Sequence, residues 1–423
     1  MQTNLADNIK DTVQGQAAEA ILRSCVHCGM CNATCPTYQL LGDELDGPRG
    51  RIYLIKQVLE GQAPTQKTQN HLDRCLTCLS CETTCPSGVK FGYLLDIGRQ
   101  LVEEKVGRTW AQKLLRSGLG NALSKPVFFQ QALNFGRKIK PYIPASIQAK
   151  IPDQKIALVW PNNLHQRKML LLDGCVQPAL APNINIATAQ LLDKLKIQTQ
   201  LAPQAGCCGA LALHLNDRAR AIEQAKRNID VWWPLLTATG DQRFEKLVMT
   251  ASACGVMVKD YGDLLAQDQT YAEKAKLVAQ STLDISEVLS DMSEQLVGVL
   301  AAVSAKVSAD VSEQTQERLS WHAPCTLQHG QQIVGKVEQL FIKLGMPMAA
   351  CKDSHLCCGS AGTYSLLQPQ LALQLRENKL AALQACQPTR ILSANLGCQH
   401  HLQAGTATPV SHWVEFLNQL LPN

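Results

Sequence analysis

The sequence predicts a protein of the α+β / α/β class, a helical N-terminal domain followed by two duplicated α/β modules. Three observations carry that prediction. Cys25, Cys28, Cys31, Cys35 and Pro36 recur as Cys75, Cys78, Cys81, Cys85 and Pro86, the same spacing displaced by 50 positions. Cys175, Cys207, Cys208 and Gly209 recur as Cys325, Cys357, Cys358 and Gly359, displaced by 150 positions. Around each copy of this second repeat, short apolar runs alternate with helical stretches, the pattern of a mainly parallel sheet.

The elements follow in order. Residues 1–107 hold the first repeat and form the N-terminal domain. Residues 108–165 contain Pro126, Pro141, Pro144, Pro152 and Pro161 with short amphipathic stretches between them, and read as a helical connector packed against both sides. Its stretch 110–131 is the one candidate for contact with a membrane surface, and core packing is the commoner fate of such helices. Residues 166–265 form the first module: a strand over 168–173, a helix over 187–195, the Cys-Cys-Gly loop, a helix over 217–231, and a strand over 246–250 leading to Cys254. Residues 266–317, rich in Ala, Ser, Gln and Glu, suit helices bridging the copies. Residues 318–423 repeat the module, with helices over 332–344 and 369–385 and a strand over 390–394 before Cys398.

Composition narrows the function. A chain of 423 residues with 46% hydrophobic content fills ordinary cores. The net charge of +5, without a run of five or six basic residues, argues against nucleic acid as a partner. The longest apolar stretch, 296–303, is far short of the roughly 20 residues that span a bilayer, so no transmembrane segment is expected. Residues 1–10 lack the basic start and apolar run of a secretory signal, which predicts a cytoplasmic protein with reduced thiols. Eighteen clustered cysteines in such a chain point to metal ligation rather than disulfides.

The spacing C-x2-C-x2-C-x3-C-P is the bacterial ferredoxin run, in which three close thiolates hold one cube and the fourth reaches the other cluster. This predicts two [4Fe-4S] clusters, one on Cys25, Cys28, Cys31 and Cys85 and the other on Cys75, Cys78, Cys81 and Cys35. Pro36 and Pro86 turn the chain away after the fourth ligand. Gly29, Asn32, Ala33 and Ser80 are small enough for backbone amides to approach sulfur. Zinc uses CxxC pairs too, but has no use for a third CxxC step and a Cys-Pro repeated twice. Two adjacent clusters suit successive stops for single electrons. Between the runs, Arg49 and Arg51 either place positive charge near a cluster or are solvated residues at a helix start, the plainer reading. With eight cysteines supplied, His27 and His71 read as exposed spectators.

In the two modules the candidate additional metal or docking residues are Cys175, Cys207, Cys208 and Cys254, and Cys325, Cys357, Cys358 and Cys398. Adjacent cysteines are awkward on one iron and natural for bridging two, so a further iron-sulfur cluster stands against inert cysteines that shape a docking surface. Cys351 and Cys386 read as buried small hydrophobes. His322, His329, His355, His400 and His401 follow no ligand spacing; one of them as a ligand or quinone contact stands against the plainer reading of packing or surface residues.

These motifs, with the segment Asp46-Gly47-Pro48-Arg49-Gly50-Arg51-Ile52-Tyr53-Leu54 and the turn Asn395-Leu396-Gly397-Cys398-Gln399, make the chain resemble the iron-sulfur subunits of glycolate oxidase over nearly its whole length. It is similar also to the C subunit of anaerobic glycerol-3-phosphate dehydrogenase, an iron-sulfur lactate-utilisation protein and the B subunit of heterodisulfide reductase. The resemblance implies a complex in which a flavin-containing subunit, carrying the FAD, oxidises glycolate to glyoxylate. Electrons then pass here and onward to a membrane quinone or similar acceptor, with the chain cytoplasmic or peripheral on the inner face of the membrane. The lack of a G-x-G-x-x-G after a strand, of a P-loop and of a nucleophile motif agrees with flavin and substrate lying on a partner, and no catalytic residue is assigned. The alternative is an electron-transfer or catalytic subunit of another system: lactate or glycerol-3-phosphate oxidation, or disulfide or quinone reduction. In the fuller CCG pattern each module ends in a CxxC, but Ala251 and Asn395 stand where its first Cys would be, which argues against heterodisulfide reduction.

Overall fold

Pro48 opens the helix Pro48–Leu59 at a position whose backbone N–H would have no intrahelical partner, so its missing donor costs nothing. Ile52, Ile55, Val58 and Leu59 then recur on one buried face. That face meets Leu94, Leu95 and Val102 of the helix Phe91–Val106. Gly98 permits the close approach, since a Cβ there would lie 2.5 Å from Ile55 Cγ1. The computed structural model describes residues 1–142, 156–304 and 317–421. The first cysteine run lies ahead of Pro48–Leu59 and the second between it and Phe91–Val106, both in loops and short helical turns.

The repeat extends to the backbone. His27 and Gly29 in the first run, and Thr77 and Leu79 in the second, all have left-handed φ, at 61°, 85°, 51° and 61°. Only Gly29 adopts that conformation without cost. A bend that three non-glycine residues accept is one that the surrounding packing over-determines, as at functional sites.

The first module forms a parallel sheet of β1 (Arg167–Leu171), β2 (Ile197–Leu201), β3 (Lys246–Met249) and β4 (Thr282–Asp284), in the order β2-β1-β3-β4. Helices Asn183–Lys194, Arg218–Thr237 and Ala272–Ser281 make its crossovers. The second sheet is β5 (Leu319–His322), β6 (Arg390–Ser393) and β7 (Val410–His412), again parallel. The α/β class and the helical N-terminal domain are as the sequence predicts.

Differences lie in detail. The segment 266–317 is not purely helical, because β4 adds a strand to the first sheet, and Asp284 at its end caps the helix Ile285–Asp291 with Glu287 closing a capping box. In the second module the helix expected over 332–344 starts only at Lys336, after left-handed Gln332 and Gly335. The counterpart of β2 there shrinks to a single bridge between Ser320 and Ala349. The core-packing reading of 110–131 is overturned. The helix Trp110–Ser124 buries Gly120 alone and Pro126–Ile139 buries nothing, leaving Trp110 79%, Phe128 54% and Phe135 64% exposed. The middle of the connector, with Pro144 and Pro152, and the bridge residues 305–316 fall outside the described residues. Among the described residues no helix is long and apolar enough to cross a membrane.

The two modules share one core. Met169, Leu171 and Val248 of the first sheet join Leu319, Trp321 and Leu392 of the second, and Trp413 and Phe416, in one continuous buried cluster. Polar ties cross the same boundary: His412 Nε2 lies 2.9 Å from Thr250 O, and Ser252 N donates to Ala394 O at 3.2 Å.

Candidate metal centres

The eight N-terminal cysteines divide between two cavities. One, with about 440 Å³ of empty space, is walled by Cys25, Cys28, Cys31 and Cys85; the other, of about 370 Å³, by Cys35, Cys75, Cys78 and Cys81. Each gathers three thiols of one run and the fourth of the other, and Cys81 lies on the wall of both. Burial, with crowding, makes three of these thiols, Cys31, Cys78 and Cys81, reluctant acids. Burial, then Cys25, pushes Cys31 up to about 11, with Cys85 and Cys28 adding to it. Burial raises Cys81 well above the ordinary thiol range, with Cys78, Cys75 and Cys35 as its charged neighbours. Four thiolates packed this closely need cationic charge among them, which an iron-sulfur cluster provides and an apoprotein pocket does not. The residues fit the group.

Arg51 corrects the reading of solvated arginines. It is fully buried, ion-paired with Asp46 at 3.5 Å, with Nη1 3.1 Å from Thr37 Oγ1 and 4.0 Å from Cys35 Sγ, and Nε donating to His71 O at 2.8 Å. Arg49 is the more exposed partner, paired with Glu44 at 2.6 Å beside the first cavity. His71 is no spectator either: its Nδ1 lies 3.1 Å from Asp46 Oδ1, and Arg74 adds a further ion pair with Asp46 at 2.8 Å. His27 is half-buried at the edge of the first cavity, its ring 6.3 Å from that of Tyr53.

In the first module Cys175 follows β1, Cys207 and Cys208 precede the helix Ala210–His214, and Cys254 lies in the first turn of Ser252–Lys259. The four thiols adjoin in one series, Cys175 beside Cys207, Cys207 beside Cys208, and Cys208 beside Cys254. The donated bonds from Cys175 and Cys208 hold Cys207 well below the ordinary thiol range. The loop is pinned from behind by Asn228, which donates to Cys207 O at 2.9 Å, and Tyr261, which donates to Cys208 O at 2.7 Å.

The second module repeats the series: Cys325 Sγ is 3.8 Å from Cys357 Sγ, Cys357 adjoins Cys358, and Cys358 adjoins Cys398. Gly359, at φ 88°, closes the loop, and a Cβ there would sit 2.6 Å from Ala372 O. Asn395, at the place of the missing thiol, donates to Cys398 Sγ at 3.3 Å. His322, read from the sequence as a packing residue, instead stands with Cys358 and Cys398, a ring nitrogen and both sulfurs all within 4.8 Å of one another. His329 and His401 are structural, bonded to the carbonyls of His355 at 2.9 Å and Ala372 at 3.2 Å. Cys351 and Cys386 are half-buried rather than core residues.

The sites adjoin one another. Cys78 is pushed well up by burial and next by Cys325, and Cys357 in turn feels Cys78. Cys357, Leu76, Tyr364, Ala372 and Leu375 close one apolar cluster over Cys78 and Cys325. Two hydrogen bonds lock the N-terminal domain to the modules here, Thr77 Oγ1 to His214 Nδ1 at 3.0 Å and Thr83 Oγ1 to His329 Nδ1 at 2.8 Å. A larger cavity, with about 1850 Å³ of empty space, opens at the same junction. Its wall includes Cys78, Asp96, Ala210, Ala253, Asp260 and Thr326, and so touches the flanks of three cysteine sites. None of these long-range neighbours has a signal in local spacing.

Residues 21–89 match the family described as 4Fe-4S dicluster domain, and 169–259 and 319–403 match the cysteine-rich CCG domain. The chain is 47% identical over 422 residues to the glycolate oxidase iron-sulfur subunit of Escherichia coli K12, covering 100% of this chain and 99% of that protein. It is 25% identical over 429 residues to a probable glycolate oxidase iron-sulfur subunit of Bacillus subtilis 168, covering 94% and 92%. A lactate utilization protein A of Geobacillus is 22% identical over 261 residues, 59% of this chain and 99% of its own. Two cavities each ringed by four thiols, two CCG domains and an identity that runs from end to end place this chain in the family of glycolate oxidase iron-sulfur subunits, members of an oxidoreductase complex that carry iron-sulfur clusters.

Proposed function

We propose that this subunit relays electrons from a flavin-containing subunit, where glycolate is oxidised to glyoxylate, to a quinone at the inner face of the membrane. Clusters held by Cys25, Cys28, Cys31 and Cys85 and by Cys35, Cys75, Cys78 and Cys81 would accept and release one electron at a time. The observation that carries the reading is the continuity of thiols: Cys81 borders both cavities, and Cys78 abuts Cys325 and Cys357. On this reading the CCG cysteines, Cys175, Cys207, Cys208 and Cys254 with Cys325, Cys357, Cys358 and Cys398, are metal sites rather than a docking surface. Iron analysis of anaerobically purified protein tests it. About twelve to sixteen irons per chain are expected, with about four lost on Cys207→Ser or on Cys357→Ser. About eight irons, unchanged by either substitution, would leave the relay with two clusters and return the modules to docking.

The junction cavity suits the acceptor, because a quinone takes up two electrons and two protons to become a quinol. Asp260 and Asp96 on its wall are carboxyls raised above their ordinary range. The protein packed round Asp260, which water still reaches, with Asp263, Glu82 and Asp96, pushes it up to about 7 against the opposing Lys90. Burial pushes Asp96 up to about 6 against Arg99 and Arg218. A donor must be protonated, so quinone reduction by the complex is expected to hold below about pH 7 and fall above it. Asp260→Asn should lower the rate and remove that limb of the profile. A wild-type profile flat from pH 6 to pH 9 would discard Asp260 as the donor.

Peripheral attachment rests on the connector. Arg108 and Arg116 are taken up by ion pairs with Asp73 and Glu103, and beyond them the connector up to residue 142 carries Lys113, Lys125, Arg137, Lys138 and Lys140 and no Asp or Glu, beside the exposed Trp110, Phe128, Phe135 and Tyr142. A cationic amphipathic surface of that kind matches an anionic bilayer. The protein is expected to sediment with phosphatidylglycerol vesicles, to be released by salt, and to lose about tenfold in affinity when Trp110, Phe128 and Phe135 are changed to Ser. Equal binding to zwitterionic vesicles, or none to either, would rule this attachment out.

A further inference from the structure

The two modules differ at two adjoining buried positions. His322, the last residue of β5, has the equivalent Leu172 in the first module, and Ser393, the last residue of β6, has the equivalent Met249. In the parallel ladder His322 is the register partner of Ser393, and its Nδ1 lies 3.0 Å from Ser393 Oγ. With Nδ1–H donating to that hydroxyl, Nε2 is left with its lone pair. Nε2 is buried and has no hydrogen-bond partner. A buried polar atom without a partner is costly unless something else occupies it. The Sγ atoms of Cys358 and Cys398 stand beside this ring, each in the series of four thiols. The fifth thiol of the fuller CCG pattern is replaced by Asn395, whose amide bonds Cys398 Sγ instead.

We propose that His322 Nε2 is a ligand of the iron-sulfur centre of the second module, taking the coordination place that the missing cysteine leaves. The inference rests on the reading of this module as a metal site. Ser393 sets the tautomer, as the outer partner of a ligating histidine does. A neutral imidazole in place of a thiolate leaves the centre one negative charge poorer, and replacing Cys by His on iron raises a cluster's potential. The second module, nearer to Cys78, is then the more easily reduced of the two. Leu172 and Met249 deny the first module the same ligand, so its centre stays all-thiolate and of lower potential. The duplicated modules have become unequal electron acceptors.

Pulsed electron paramagnetic resonance on the whole, cluster-loaded chain tests this, at the potential where the second-module centre is paramagnetic. A strongly coupled nitrogen is expected, changed by 15N-histidine labelling and lost in His322→Cys. That variant restores a thiolate, should keep its iron, and should shift the midpoint potential downward. Ser393→Ala keeps the ligand, and should retain the coupling with an altered magnitude. Iron lost on Cys357→Ser, but no histidine coupling in the wild type and no shift of potential in His322→Cys, would overturn the ligand while the metal site stands. No iron lost on Cys357→Ser would overturn the metal site itself, and the ligand with it.

Discussion

Arg51→Met is expected to destabilise the N-terminal domain by about 1–3 kcal/mol, because it removes the fully buried partner of Asp46 and its donated hydrogen bonds while Arg74 still holds the carboxylate. Asp46 is 1% exposed and has three cationic or potentially cationic neighbours in Arg51, His71 and Arg74, of which Arg51 alone is fully buried. Removing Arg51 also strips the donors from Thr37 Oγ1 and the His71 carbonyl, which no aliphatic side chain replaces. The substitution should act on electrons too. The guanidinium, 4.0 Å from Cys35 Sγ, favours the more negative, reduced state of the cluster on that side, so its loss lowers the potential. Arg51→Lys keeps the charge but not the planar fork, and should recover more of the potential than of the stability. Urea unfolding followed by cluster absorbance, with a redox titration, separates the two effects. Unfolding that is unchanged in Arg51→Met would remove the structural role argued for this ion pair.

Cys78→Ser is expected to abolish relay while leaving the chain folded. Changing residues that only support metal ligands commonly costs 10–100-fold, so removing a ligand should exceed the upper end, roughly a hundredfold or more in the rate at which the complex reduces its acceptor. Cys78 has Cys325 of the second module among its neighbours, so its loss cuts the path at the junction between domains. The decisive readout is a split. Glycolate should still reduce the first cluster, seen by electron paramagnetic resonance after rapid freezing, while the module centres stay oxidised. Undiminished acceptor reduction with the second cluster lost would mean that electrons leave before this junction.

The parts of the site readable in the sequence are those that iron imposes on neighbours in the chain. Three thiols around one cube must be close in sequence, so Cys25, Cys28 and Cys31 announced themselves, and the copy at Cys75, Cys78 and Cys81 confirmed the pattern. Alternating apolar and helical runs gave the parallel sheets for the same reason, that periodicity is local. What was not legible is set by register and burial across distance. His322 and Ser393 meet because β5 and β6 pair, 71 residues apart. Arg51 follows a Gly-Pro turn and looks solvated, and only packing by the rest of the domain buries it. β4 is three residues long, too short for any period to show. The exposed face of 110–139 has the pattern of a core helix, and nothing local reveals that no core comes to meet it.

The common core beneath the two sheets has a consequence for how the duplication could diverge. Trp321, Leu392, Trp413 and Phe416 are packed with Met169, Leu171 and Val248 in one interior, so each copy is scaffold for the other. Neither half is expected to fold when expressed alone. A shared interior also fixes the separation of the two cysteine sites, like two sockets cut in one block. Substitutions at the lip of one socket can retune what it holds without loosening the other, which is the condition under which a repeated element becomes a gradient.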